Sequence, residues 1–282
     1  MIREIDSSKI TEAVRLAFAK ACVELPDDIQ NAIFRARSQE RNESAGHILE
    51  LCLENAKIAK RDGIPICQDT GLAVVFVELG QDVHINGELL PDAINRGVAM
   101  AYTGECFRAS VVRDPLYHRV NTENNTPAVI HTRITAGDKI RITAVPKGFG
   151  AENMSAVKMF TPAATEEDII DFAANTLKAA GGNSCPPTAV GIGIGGDFEY
   201  CAVLAKEALT LDAEKSSDIP EYAQLERKIL RRINGLDIGP QGLSGDSSAL
   251  SVRILTYPTH IAGLPVAVNV SCHVTRHYSV EI

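Results

Sequence analysis

The chain has 282 residues, 45% of them hydrophobic, and a formal net charge of −8. That is enough apolar material for a sizeable core, whereas an acidic balance with no local cluster of Lys and Arg excludes a general nucleic-acid surface. No apolar run approaches the ~18 residues of a membrane span, and the acids in Met1-Ile2-Arg3-Glu4-Ile5-Asp6 do not suit a signal peptide, so a cytoplasmic protein without nucleic-acid or membrane partners is expected.

Ser7 or Ser8 can cap a helix over 7–25, in which Ile10, Val14, Phe18 and Cys22 share one face. Pro26-Asp27-Asp28 starts a second helix, reaching Ser38, with acids at the positive end of its dipole. A third opens at Ser44, buries Ile48, Leu51, Cys52, Ala56 and Ala59, and ends near Gly63. The apolar run 72–79 reads as a strand covered on both faces, and Asn86-Gly87 as a hairpin or a tight strand-to-helix turn. A helix is predicted over 91–102, then a hairpin of strands 128–134 and 139–145 joined by Ala136-Gly137-Asp138.

Thr165, with Asp168 completing a capping box, begins a helix to Ala180. Further helices are expected over 197–209 and 220–234, and strands over 250–255 and 265–270. Helices come first, and strands and helices then alternate irregularly. The class read from this order is α+β: a helical N-terminal part followed by mixed strands and helices in a single large domain, 1–282. Gly191-Ile192-Gly193-Ile194-Gly195-Gly196 fits G-x-G-x-x-G literally. Pro186-Pro187 cut short the strand such a site needs, so these glycines are read as close-packing residues. The loop Gly239-Pro240-Gln241-Gly242-Leu243-Ser244-Gly245 lacks the Lys-Ser/Thr ending of a phosphate loop.

Seven cysteines, an odd number in a long chain without a signal segment, argue for reduced thiols. Cys22, Cys52 and Cys201 fall at helical spacing among apolar residues and read as core; Cys106 is taken as a buried thiol. Three others lie on irregular polar stretches. Cys67 is in Gly63-Ile64-Pro65-Ile66-Cys67-Gln68-Asp69-Thr70-Gly71, where a thiol, an amide, a carboxylate and a hydroxyl follow one another between Pro65 and Gly71. Such crowding on a loop leading into a buried strand suggests a site; a solvated turn with a stray core cysteine is the plainer reading. Cys185 is in Gly181-Gly182-Asn183-Ser184-Cys185-Pro186-Pro187 and Cys272 in Asn269-Val270-Ser271-Cys272-His273. The three are 118 and 87 residues apart, so no local zinc or ferredoxin spacing applies, and a shared site would have to be assembled by the fold.

The words around these thiols do more. Ile66-Cys67-Gln68-Asp69-Thr70-Gly71, Asn183-Ser184-Cys185-Pro186-Pro187, Gly239-Pro240-Gln241-Gly242 and His260-Ile261-Ala262-Gly263-Leu264-Pro265, then Cys272-His273, resemble the alpha subunit of class I, iron-sulfur-dependent fumarate hydratase and its relative L-tartrate dehydratase, over nearly the whole chain. The resemblance implies that Cys67, Cys185 and Cys272 ligate three irons of a 4Fe-4S cluster whose fourth iron stays open as a Lewis acid. It also implies that Gln68 and Asp69 contact substrate, with Asp69 handling protons, and that His260 supports that aspartate. Arg108, in Glu105-Cys106-Phe107-Arg108-Ala109-Ser110, matches an arginine that grips a substrate carboxylate, and Lys147-Gly148-Phe149-Gly150 a loop whose amides meet the substrate.

On this resemblance the substrate is a small dicarboxylate. A separate beta subunit is expected to complete the site and supply the base, in an α2β2 assembly, because the region that supplies further cationic groups in single-chain relatives has no counterpart here. Phe107-Arg108 and the stretch 146–155 look more like two-subunit fumarases than tartrate dehydratases, so fumarate and L-malate are favoured. A tartrate dehydratase alpha subunit and a non-catalytic iron-sulfur sensor are the other readings; a sensor has no need of a carboxylate clamp.

Overall fold

A computed structural model describes residues 2–282 and shows an α+β fold, as the element order predicts. The chain folds into two compact units, each made from separated stretches. The first holds the chain up to Leu25, Ile58–Gly148 and Arg276–Ile282; the second holds Pro26–Lys57 and Phe149–Thr275. No helix among the described residues is long and apolar enough to cross a membrane.

In the first unit β1 (Arg3–Asp6) pairs parallel with β3 (Val83–Asn86). A four-stranded sheet runs in the order β10 (Tyr278–Glu281), β5 (Ile140–Lys147), β2 (Leu72–Gly80), β4 (Val129–Thr135). The helices α1 (Ser7–Val23) and α4 (Leu90–Gly104) pack on one sheet face. Ile10, Val14, Phe18 and Cys22 of α1 are fully buried there, as their four-residue spacing predicts, against Val75, Val77, Ile140 and Ile142. Asp6, not a serine, caps α1: its carboxylate accepts from Ser8 N at 2.8 Å, while Ser7 Oγ accepts from Glu88 N at 3.0 Å and so secures the Asn86-Gly87 turn into α4.

The expected hairpin over 128–145 does not form. β2 lies between its two strands, antiparallel to β5 and parallel to β4. The 136–138 turn wraps the end of β2 instead, with Gly80 N donating to Lys139 O, Gln81 N to Thr135 O and Asp82 N to Gly137 O. The physical reason is apolarity: Ala73, Val74 and Val75 are buried on both faces, and such a strand is most stable in the sheet centre, paired on both edges.

The second unit has the sheet β6 (Ala156–Phe160), β9 (Leu264–Ser271), β7 (Thr188–Gly196), β8 (Ala249–Thr259). Its helices are α2 (Asp27–Gln39), most of α3 (Glu43–Asp62), the short α5 (Phe149–Glu152), α6 (Glu166–Ala180), α7 (Tyr200–Ala208) and α8 (Pro220–Asn234). Thr165 and Asp168 form the predicted capping box at α6. Along β7, Val190, Ile192 and Ile194 point to the core built with α6 and α8. Gly191 and Gly193 point the other way, where an added Cβ would lie 2.0 Å from Ala205 O and from Cys201 O of α7. The glycine run is therefore a seat for a helix against a strand, which accounts for the failed nucleotide motif. In α3 the buried face is Ala45, Leu49, Ala56 and Ala59, with Cys52 half-buried, whereas Leu51 is 56% exposed. Leu49, fully buried and flanked by alanines, takes the place expected for Leu51 on that face.

Candidate active-site loops

In the first unit the stretch from Ile66 to Gly71 is fastened through its main chain. Ile66 N donates to Cys22 O (3.0 Å), at the end of α1. Three successive carbonyls are then each taken by a side chain remote in sequence: Asp69 O by Arg276 Nη2, Thr70 O by the Tyr102 hydroxyl (2.6 Å), and Gly71 O by Asn125 Nδ2 (3.0 Å). Tyr102 and Asn125 are buried, and burial pushes the Tyr102 hydroxyl well above the usual phenol range, so it stays a donor at any ordinary pH. Gly71 has φ +81°, and an added Cβ there would meet Lys147 N at 2.7 Å. The loop is a rigid shelf.

On this shelf Cys67 is half-buried, its sulfur 3.4 Å from Gln68 Oε1 as donor and 3.4 Å from Asp69 N as acceptor. Gln68 is exposed. Asp69 is half-buried, with Oδ1 accepting from Gly71 N at 3.0 Å and Oδ2 facing Gly148, where an added Cβ would come within 3.4 Å. Arg108 is brought beside the shelf because Thr70 Oγ1 donates to its carbonyl (3.0 Å), while Phe107 turns inward, edge-on to Tyr102 with centroids 5.7 Å apart. The guanidinium of Arg108 is exposed and has no partner among the described residues. Lys147 differs from a loop cation: it ends β5, is 2% exposed, and its Nζ lies 3.5 Å from Gly148 O. The first unit thus brings together Cys67, Gln68, Asp69, Arg108, Lys147 and Gly148.

The second unit brings Cys185 and Cys272 into neighbouring loops. Cys185 is exposed, at φ +51°, directly after the short turn Gly181–Ser184. Its carbonyl accepts from His273 N (3.2 Å) and lies 3.0 Å from His273 Nδ1, so the residue after Cys272 ties the two loops together. Gln241 adds two bonds to Pro186 O, from its main-chain N (2.8 Å) and from Nε2 (2.9 Å). Cys272 is half-buried beside Cys52, whose thiol burial pushes up to about 11, with Cys272 adding to the rise. Near Cys272 along β9, Asn269 Nδ2 donates to Glu152 Oε2 (3.1 Å), and Glu152 is paired with Lys206, which fixes α5 and the start of the Phe149 loop.

His260 is an exposed residue of the β8–β9 turn, its Nδ1 accepting from Ala262 N at 3.1 Å. It lies in the second unit and Asp69 in the first. Cys106 is exposed rather than buried: the chain leaves α4 there in the left-handed conformation (φ +53°), which turns Phe107 into the core and Cys106 out. Cys67 belongs to one unit, and Cys185 and Cys272 to the other. No group of three or more His, Cys, Asp or Glu side chains arranged to hold a metal ion occurs among the described residues. Taken singly, each of the three is a soft donor that suits iron-sulfur ligation better than a hard cation. All are free thiols, partly or fully exposed, and Cys67 already receives an N–H···S bond of the kind a thiolate ligand takes.

Sequence reasoning missed Tyr102, Asn125 and Arg276, which hold the shelf, and Glu152 with Lys206. None carries a local signature. His273 and Gln241, by contrast, stood in the words singled out.

The fumarate hydratase (Fumerase) family matches residues 11–281. A protein of Methanocaldococcus jannaschii named "Putative L(+)-tartrate dehydratase subunit alpha" is 38% identical over 274 residues, covering 95% of this chain and 95% of its own length. The L(+)-tartrate dehydratase subunit alpha of Escherichia coli strain UTI89 is 29% identical over 279 residues, covering 98% of this chain and 91% of that protein. The protein of the same name from Shigella sonnei is 29% identical over 273 residues, covering 95% and 89%. The chain belongs to the fumarate hydratase (Fumerase) family, whose members are hydro-lyases.

Proposed function

We propose that residues 1–282 form the catalytic alpha subunit of a hydro-lyase that reversibly hydrates fumarate to L-malate, in a 4Fe-4S-dependent site completed by a separate beta subunit. The observation that carries this reading is the shelf of the first unit: a thiol, an amide and a carboxylate on consecutive residues, beside an exposed, unpartnered arginine anchored to the same loop. Cys67, Cys185 and Cys272 are the proposed ligands. When bound, a cluster held by three thiolates supplies one iron without a protein ligand, a Lewis acid for the substrate hydroxyl and carboxylate.

The chain's own residues bind and orient. Dehydration removes a proton from C3 and the hydroxyl from C2, releasing one water per double bond formed; hydration is the reverse. The planar fork of Arg108 takes one substrate carboxylate in two parallel bonds, and this is why its lack of an internal partner matters. Gln68 offers an amide donor to the same region, and the main chain of Gly148 lies beside the Asp69 carboxylate. Asp69, with Oδ1 accepting from Gly71 N and its carboxylate turned towards Gly148, is assigned to hold a proton in transit. His260 is assigned to support Asp69. The base acting at C3 is assigned to the beta subunit, whose existence the relatives' name "subunit alpha" supports.

L-tartrate is a second reading, favoured by the names of the relatives; Phe107-Arg108 and the stretch 146–155 favour fumarate. The assembled pair is expected to be α2β2 and cytoplasmic. Anaerobic reconstitution with the beta subunit, iron and sulfide, followed by kcat/KM for fumarate, L-malate and L-tartrate, tests the assignment. Comparable or reversed values for tartrate overturn the fumarate reading, and a cluster indifferent to dicarboxylates by EPR points to a sensor.

A further inference from the structure

Arg276 opens the last stretch of the first unit, just ahead of β10. It is 4% exposed, and no carboxylate pairs with it among the described residues. Its Nη2 donates to Asp69 O, while Nε and Nη1 are buried without an acceptor. Burial pushes the Cys22 thiol and the Tyr102 hydroxyl up, and the charge of Arg276 opposes that rise in both, as expected of a cation set beneath the loop that these two residues underlie.

A guanidinium with two unmet donors is a poor choice for stability alone, because an apolar side chain of similar length would fill the space without stranding N–H groups. What it does is hold the carbonyl of Asp69. Tyr102 and Asn125 hold the two carbonyls that follow, so Arg276 is the first of three clamps along the loop and the one on the acidic residue itself.

We infer that Arg276 is a positioning residue: by clamping the Asp69 carbonyl it sets the direction of the Gln68 and Asp69 side chains. The inference rests on the hydro-lyase reading for its consequence, though not for its first test. That test is amide hydrogen exchange on the 282-residue chain, comparing wild type with Arg276→Met and Arg276→Lys. Exchange at 68–71 should quicken at least roughly tenfold in R276M, with melting within a few degrees of wild type, and R276K should recover part of the protection.

In the reconstituted alpha-beta pair, R276M should lower kcat roughly 100-fold with KM nearly unchanged, the cost of misplacing groups that still bind, and R276K should lie between. Unchanged exchange at 68–71 in R276M refutes the clamp; if R276M does not fold, the same reading of R276K decides. Activity that falls only in proportion to unfolded protein makes Arg276 merely structural and overturns the inference. A wild-type pair without hydratase activity would instead sink the hydro-lyase reading, leaving the exchange result to stand for the clamp.

Discussion

The shelf of the first unit and the paired cysteine loops of the second solve one problem differently. In the first, the chemistry-bearing residues are consecutive, and distant side chains from α4, from the 108–125 stretch and from the C-terminal segment clamp successive carbonyls. In the second, the thiols are 87 residues apart in sequence, and the loops fasten each other, His273 to Cys185 and Gln241 to Pro186. A site word contiguous in sequence still needs long-range clamps to be rigid, because a loop's own residues leave its carbonyls unpaired. Separated words can share the task by bonding each other's backbones. The first arrangement concentrates its support in a few buried polar groups, so single substitutions there should be more costly.

The largest effect tests whether the two regions serve one centre. Cys67→Ser should abolish the iron and acid-labile sulfide of anaerobically reconstituted protein as fully as Cys185→Ser or Cys272→Ser, and lower activity at least about 100-fold. Cys52→Ser and Cys106→Ser should leave both nearly intact. Retention of a full complement of iron after loss of Cys67 would confine any cluster to the second unit and break the comparison.

Arg108→Lys comes next, with KM for the preferred dicarboxylate rising about 10- to 100-fold as the bidentate fork is lost, and with melting unchanged because the side chain is exposed and unpaired. A lowered melting temperature would show that Arg108 supports the shelf rather than the substrate.

The asymmetry in stability is read by urea unfolding. Gly71→Ala should cost about 1–3 kcal/mol, through a positive φ and a Cβ against the Lys147 backbone, and Tyr102→Phe about 1 kcal/mol. His273→Ala should cost less than either, roughly 0.5–1 kcal/mol, since the main-chain bond to Cys185 O survives the loss of the ring. Equal costs on the two sides would erase the distinction.

The smallest effect belongs to the second unit's surface. A hydrogen bond from Arg41 holds the Asp246 carboxyl at about 2, below its ordinary value. A depressed folded-state pKa contributes stability that is present above the unfolded value and lost as pH falls through the folded one. The difference in melting temperature between wild type and Asp246→Asn should therefore be small and flat above about pH 4, and vanish towards pH 2.

Much of this was legible in the residues. The face of α1, the capping box of α6 and the β7 glycines rest on local spacing, which sequence displays directly, whereas the words around Cys67, Cys185 and Cys272 are legible through a family resemblance. Arg108 was legible as a word, but its exposure and lack of a partner were not. The 128–145 hairpin failed because adjacency in sequence promotes pairing only when no more apolar strand competes for both edges, and β2 does. Leu51 failed because the buried face of α3 runs through Ala45, Leu49, Ala56 and Ala59, a phase in which Leu49 takes the core position and Leu51 turns out.

By itself, then, the sequence determined the α+β class, most element positions and the family to which the chain belongs, since each depends on interactions within a few residues or on order along the chain. Only the tertiary structure decided that β2 takes the sheet centre, that Cys106 faces solvent, that Lys147 is buried, and that Tyr102, Asn125 and Arg276 hold the shelf. Each of these turns on which buried carbonyl or apolar surface is left unpaired by its neighbours, a quantity set by parts of the chain tens to hundreds of residues away.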